Sequence, residues 1–230
     1  MASDKNISLV LGSGGARGLA HIGIIHWLEE NGYTIKSISG CSMGALIGGV
    51  YAAGKLDEFE AWIREITKLD IITLLDISWS KSGLVKGDKI INTLVDLVGD
   101  LEIEELPIKY TAVAADVNDE KEIWISTGRL FDAIRASISL PMFFTPHTLN
   151  DRHLIDGGVL NPVPIAPTFN DNTDLTIAVN LNGKLSSPSL NDKSNEAPAE
   201  TELHEKILGY IQQLQDKIDA PTEIDWGVYD

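Results

Sequence analysis

Apolar and polar positions along the chain fall into two alternating patterns. Short runs such as Ile7-Ser8-Leu9-Val10-Leu11 have the character of a buried parallel strand. Longer stretches carry apolar residues at helical spacing: Leu19, Ile22, Ile25 and Leu28 within 19–30, and the small-residue run 43–53. Asn31-Gly32 and Gly54 close these two helices, glycine being favoured at a left-handed cap. Ser37-Ile38-Ser39 predicts a second short strand between them. Asp57 and Glu60 predict a capping-box start for a helix reaching 68, and Asp88 is expected to cap a helix to about 99. Strand 109–116, the turn Asn118-Asp119 and strand 121–126 predict a hairpin. A helix follows from about Leu130, and Pro141 and Pro146 enforce a loop. A second hairpin, 148–156, is expected to turn at Asp151-Arg152, and 175–181 is the last strand. Strands alternating with helices specify a three-layer α/β/α sandwich with a mostly parallel central sheet.

The pattern changes at the far end. Residues 185–200 are rich in Ser, Asn, Asp, Pro and Glu and poor in aliphatics, the composition of a mobile linker. Helical spacing resumes at Leu203, Ile207, Tyr210, Ile211, Leu214 and Ile218. The expected organisation is a main domain over 1–183, a polar linker over 184–200 and a helical segment over 201–230 that reads as incomplete. No repeat is apparent. The chain has 230 residues, 43% of them hydrophobic, enough for one large core.

Charge narrows the function classes. The net charge of −16 opposes binding to nucleic acid and denies the chain attraction to anionic lipid headgroups. Transient contact with a membrane would have to use apolar surface. No apolar run is long enough to span a bilayer, and the first residues lack a basic region followed by an apolar core. Cys41 is the only cysteine, so an internal disulfide is excluded, which fits a reducing compartment and a cytoplasmic location.

The chemistry gathers at Gly40-Cys41-Ser42-Met43-Gly44, placed between a strand and a small-residue helix. A serine between two glycines at such a turn is a nucleophile elbow, or else a glycine-rich turn whose serine merely caps the helix. Gly12-Ser13-Gly14-Gly15-Ala16-Arg17-Gly18 follows the first strand and opens a helix, an arrangement suited to anions. A dinucleotide fingerprint fails because Arg17 stands where its third glycine belongs, and a P-loop fails at Gly18-Leu19-Ala20. An oxyanion hole built from loop amides needs small residues, which Ser13-Gly14-Gly15 supplies. For the base, His21 and His26 belong to a helix beside its apolar face, and His147 lies between prolines. His153 is three residues from Asp156 and points to the opposite face of one strand. His204 lies beyond the linker. Asp156, ending a strand before Gly157-Gly158, is the stronger candidate. It can serve as base directly or through one water, although an Asp-Gly-Gly turn without chemistry reads the same way.

These motifs, in this order, resemble the patatin-like phospholipases, and most closely the bacterial members related to the neuropathy target esterase catalytic domain. Supporting stretches are His21-Ile22-Gly23, Ser82-Gly83-Leu84 and Ala136-Ser137 through Pro141, and the similarity covers about 7–181. The resemblance implies Ser42 as nucleophile, Asp156 as its partner, and Gly14, Gly15 and the Arg17 region as oxyanion hole. Gly12, Gly18, Gly40, Gly44, Gly157 and Gly158 support the motifs. It implies no metal and no cofactor, and a lipid or other carboxylic ester as substrate. A catalytically silent lipid-binding scaffold and an acyltransferase using the same acyl-serine are the rival readings. The aliphatic stretch 71–79 is either core or part of an acyl-chain surface, with core the stronger reading.

Overall fold

Among the described residues, strand β1 (Lys5–Leu11) is the second strand from one edge of a seven-stranded sheet. It pairs in parallel with β2 (Tyr33–Cys41) on one side and with the last strand (Leu175–Val179) on the other. Beyond β2 comes β3 (Lys109–Asp116), again parallel. The antiparallel strands are β4 (Lys121–Ile125) and β6 (Arg152–Asp156), both paired with β3, and β5 (His147–Leu149) continues the sheet beyond β6. The last strand is β7. These strands belong to a computed structural model that describes residues 5–67, 70, 74, 85 and 87–183. The expectations for 184–200 and 201–230 lie outside the described residues. So do those for 82–84 and for 71–79, Leu74 excepted.

The edges of β3 determine where the chain's chemistry can meet. Ala112 and Val113 pair with Gly40 and Cys41 of β2 on one edge and with β4 on the other. From Ala114 onward β4 continues, but the first edge is taken by β6, with Ala114 opposite Asp156. Since β2 runs parallel to β3 and β6 antiparallel, their C-terminal ends converge on the same edge. One ends at Cys41 and the other at Asp156.

Side-chain alternation gives the sheet two different faces. Ile7, Leu9, Leu11, Ile38, Tyr110, Ala112 and Ala114 form the apolar core with the helices. These helices are α1 (Ala20–Glu30), α2 (Met43–Ala52), α3 (Leu56–Glu65), α4 (Asp88–Val98) and α5 (Leu130–Ser137). The opposite face carries Ser8, Ser37 and Ser39, all buried. Here the covering layer, among the described residues, is the segment 157–174 with its 3-10 turns. Ser39 Oγ donates to the Pro164 carbonyl at 2.8 Å, and Asp171 accepts from Ser8 Oγ at 2.8 Å and from Lys109 Nζ at 2.5 Å. Burial alone would raise the Asp171 pKa, but Lys109 and the Ser37 and Ser8 hydroxyls together hold it below the usual range.

Most predicted elements are present, with shifted bounds. Strand β2 starts four residues before Ser37, where Thr34 and Lys36 interrupt the apolar pattern. The predicted helix over 19–30 is α1, preceded by a 3-10 turn at Gly15–Leu19. The capping box at Asp57 and Glu60 does not form. Lys55 is the N-cap of α3, without a side-chain cap, and the Glu60 carboxylate is taken by Arg64 and by His26 Nε2 at 2.9 Å. Asp88 is the first residue of α4 rather than its cap, which is Gly87 at φ 75°. A carboxylate in that first turn still complements the helix dipole. The second hairpin turns one residue earlier than expected, at Asn150-Asp151. Both residues have positive φ (50° and 61°), as a two-residue hairpin loop of the type I′ kind requires.

Gly44 shows how closely α2 is pressed onto the sheet. A Cβ there would lie 2.0 Å from the Leu11 carbonyl oxygen and 2.8 Å from that of Gly12. Gly23, on α1, has nothing within 4 Å of the same position. Gly44→Ala is therefore expected to cost about 1–3 kcal/mol or more, which lowers Tm by about 2–4 °C per kcal/mol. Gly23→Ala should be neutral or stabilising by up to about 1 kcal/mol. Thermal melts of the two variants, side by side, check the contrast.

Candidate active site

Ser42 stands alone between β2 and α2 with φ 56° and ψ −124°, a conformation that a side chain adopts only under constraint. Its neighbours impose it. A Cβ on Gly40 would lie 2.5 Å from the Gly44 carbonyl oxygen, so the turn closes on itself too tightly for any side chain there. The Ser42 N–H donates to Ser137 Oγ at 2.9 Å, and the Ser137 hydroxyl donates in turn to the Val113 carbonyl at 2.6 Å. The end of α5 thus ties the elbow to β3. Ser42 is itself 9% exposed, at the N-terminus of α2.

Asp156 reaches this point from the other strand on the shared edge. Its Oδ1 accepts the Gly158 N–H at 2.8 Å and lies 3.9 Å from the Cys41 thiol, which donates to it. The Ser42 hydroxyl interacts with the same carboxylate. Gly157 permits the approach, since a Cβ there would lie 2.4 Å from the Val113 carbonyl oxygen. The Asp156 backbone N–H is fixed to the Ser139 carbonyl at 2.9 Å. Burial raises the Asp156 pKa above the usual carboxylate value, partly offset by Ser42, Gly158 and Cys41. No cation pairs with it among the described residues. Burial, followed by the Asp156 charge, drives the Cys41 thiol pKa up, so sulfur stays protonated and does not compete as a nucleophile.

The glycine loop lines the same opening. Gly12 N–H donates to Val179 and Ser13 N–H to Pro162, which fastens the loop to β7 and to the segment after Asp156. The carbonyl of Gly12 accepts from His21 Nε2 at 2.8 Å. His21 is fully buried and burial lowers its pKa, so it is a neutral anchor. Gly14 and Gly15, the latter at φ 54°, have N–H groups that donate to no acceptor among the described residues. The Arg17 N–H closes back on the Gly14 carbonyl at 3.2 Å, and its guanidinium donates to Asn182 Oδ1 at 3.1 Å. Gly18 is packed against Met43, where a Cβ would come within 2.3 Å of the Met43 Cβ. Ser13 Oγ lies 3.1 Å from the site of a Cβ on Gly158, beside the Asp156 carboxylate.

Ser42 and Asp156, distant in sequence, are thus brought together; Gly14 and Gly15 lie on the loop that Gly12 and Ser13 anchor, and Arg17 is engaged within that loop and with Asn182. The other histidines stand apart. His26 pairs with Glu60, and exposed His153 Nδ1 with Thr148 at 3.1 Å. His147 is partly buried, and His204 lies outside the described residues. Ser137 and Ser139 were not singled out individually from sequence. The only signal for them was their place in the stretch from Ala136 to Pro141. Among the described residues there is no group of three His, Cys, Asp or Glu able to hold a metal ion, and no helix long and apolar enough to cross a membrane.

Comparison with known proteins gives the family. The family model for patatin-like phospholipase matches residues 9–169. An NTE family protein of Mycobacterium tuberculosis (strain H37Rv) is 50% identical over 194 residues, 84% of this chain and 54% of that protein. A lysophospholipase of Saccharomyces cerevisiae is 32% identical over 171 residues, covering 71% of this chain and 10% of the relative. Neuropathy target esterase of Drosophila melanogaster is 31% identical over 184 residues, 77% of this chain and 13% of the relative. The chain thus spans about half the length of its mycobacterial relatives and a small part of the eukaryotic ones. Among solved structures, VipD of Legionella pneumophila overlaps 70% of this chain and 47% of its own at 17% identity and a TM-score of 0.49.

Two variants test the site's energetics. Ser137→Ala leaves the Val113 carbonyl and the Ser42 N–H without their buried partner, and is expected to cost about 1–3 kcal/mol of stability. Asp156→Asn should act in the other direction. Because the folded-state pKa is raised, the ionised form is penalised by folding, and the penalty is present in full at pH values above the folded pKa. An amide removes it, so Tm at pH 7 should equal or exceed that of the parent. The advantage should shrink as the pH falls through the folded pKa, and vanish below about 4 where both states are protonated. Melts over that pH range read both effects.

Proposed function

This chain belongs to the patatin-like phospholipase family, and we propose that it hydrolyses carboxylic esters of lipids through Ser42 and Asp156. The observation that carries the proposal is the convergence of the ends of β2 and β6 on one edge of β3, which sets a strained serine against a buried carboxylate. A serine hydroxyl needs a base. Asp156 takes the Ser42 proton while Oγ bonds to the ester carbonyl carbon, giving a tetrahedral oxyanion. The free amides of Gly14 and Gly15 are the donors available to that oxygen. Collapse breaks the ester C–O bond, and the departing alcohol receives the proton from Asp156. An acyl-serine remains. Asp156 then deprotonates a water that attacks the acyl carbon, and collapse returns the proton to Ser42 Oγ and releases the fatty acid.

Several features support this reading. The raised Asp156 pKa makes it a stronger base than an ordinary carboxylate. His21 holds the Gly12 carbonyl in place and so steadies the donor loop. The yeast and fly relatives carry names of lysophospholipase and esterase, which makes an acyl ester of a phospholipid or lysophospholipid the substrate class to try first. The surface charge gives no help at an anionic interface, so the lipid would be met through apolar contacts.

Ser42→Ala should abolish hydrolysis of nitrophenyl esters and labelling by a fluorophosphonate. Turnover retained above an empty-vector background would reject Ser42. Asp156→Asn should lower kcat by about 10²–10⁴-fold, while His153→Ala leaves it unchanged. In the parent, kcat/KM should fall toward acid with a midpoint above about 4, the ordinary carboxylate value, because Asp156 must be ionised to act and its pKa is raised. A profile flat down to pH 4 would contradict the assignment of the base.

A further inference from the structure

We propose that the Ser13 hydroxyl is a further catalytic group, which shares with Asp156 the water that hydrolyses the acyl-serine. This inference rests on the ester-hydrolase reading of Ser42. It concerns the second half of that reaction, in which a water must meet the acyl carbon in one orientation.

Three observations carry it. First, Ser13 and Asp156 meet across Gly158. A Cβ on Gly158 would lie 3.0 Å from Asp156 Oδ1 and 3.1 Å from Ser13 Oγ, so the two oxygens are no farther apart than the 6.1 Å these distances add up to. One water can bridge such a span, since each of its O–H···O bonds is about 2.5–3.0 Å long. Ser13 and Gly158 are both half-buried, which leaves solvent a way in. Second, the Ser13 hydroxyl makes no hydrogen bond to another described residue. The hydroxyls of Ser8, Ser39, Ser137 and Ser139, by contrast, are committed to Asp171 and to the carbonyls of Pro164, Val113 and Arg135. Third, both oxygens are held by backbone contacts. The Ser13 N–H donates to the Pro162 carbonyl at 2.8 Å, and Asp156 Oδ1 accepts the Gly158 N–H at 2.8 Å. Two fixed acceptors orient a water, where one would let it turn. One of its hydrogens points to Asp156 and the other to Ser13 Oγ, which leaves a lone pair for the acyl carbon. As the water oxygen bonds to that carbon, Asp156 takes the first proton. Collapse then breaks the bond to Ser42 Oγ, which recovers the proton from Asp156. Ser13 gains and loses none. An alcohol has a single hydroxyl hydrogen and cannot be held by both groups in this way, so the pair favours water over acyl transfer.

The test is Ser13→Ala, which keeps the backbone anchor and removes only the hydroxyl. Nitrophenyl butyrate has a good leaving group, so loss of a water-holding group falls on deacylation. Both kcat and KM should then drop by about tenfold, leaving kcat/KM unchanged, and acyl-Ser42 should accumulate in the intact-protein mass spectrum during turnover. Added methanol should capture a larger share of the acyl group than it does in the parent. Ser13→Gly should behave alike and serves if the alanine variant does not fold, as thermal melts will show. A structural role in shaping the donor loop would instead lower kcat/KM and leave the methanol share where it was. Either that pattern, or an unchanged kcat, in a folded variant overturns the assignment of Ser13 alone, provided that the parent is active and labelled by a fluorophosphonate. A folded parent that neither turns over the ester nor takes up the label overturns the hydrolase reading and this inference with it.

Discussion

Everything at the site depends on two strands sharing one edge of β3. Strand β2 uses that edge up to Val113, and β6 takes it over at Ala114 from the opposite direction. The handover leaves two chain ends facing each other within a rigid ladder, one leading into Ser42 and the other into Asp156. The Val113 carbonyl at the junction accepts the Ser137 hydroxyl, which also holds the Ser42 N–H. One hydroxyl thus ties together the strand, the elbow and the helix that closes the core. The strain at Ser42 is sustained because so much of the surrounding backbone cannot move without breaking this junction.

The sheet's two faces divide the labour. On one, aliphatic residues meet the helices and supply the cohesion. On the other, serines hold the segment 157–174 by specific hydrogen bonds to Pro164 and Asp171. That segment carries Gly157 and Gly158 out of β6 and returns to receive the Ser13 N–H at Pro162. The donor loop and the carboxylate are therefore positioned by the same stretch of chain. Its attachment is polar and geometrically specific, where the helical face is merely tight.

Much of this was legible in the sequence because the decisive residues are glycines whose absence of a side chain is their function. Gly40, Gly44 and Gly157 mark places where backbone meets backbone, and their spacing around Ser42 and Asp156 survives as a motif. Hairpins were legible for a related reason, since Asn118-Asp119 and the polar run Asn150-Asp151-Arg152 supply turn chemistry locally, although the second turn falls one residue before the expected Asp151-Arg152. What escaped was decided by distant partners. The capping box at Asp57 failed because Glu60 is engaged by Arg64 and by His26 from another helix. Strand β2 looked short because Thr34 and Lys36 interrupt the apolar pattern of its first half.

If Asp156 serves as proposed, its charge also bears on product release. An ester substrate is neutral at the reacting centre, and so is the acyl-serine. The released fatty acid is not, and once ionised it would share a poorly solvated space with Asp156, with no cation among the described residues to reconcile the two charges. Like charges in such surroundings repel strongly. The site would thus be indifferent to what arrives and hostile to what leaves. Under the proposed hydrolysis, turnover would be driven outward by electrostatics, and accumulated fatty acid would be a weak competitor for the site it came from.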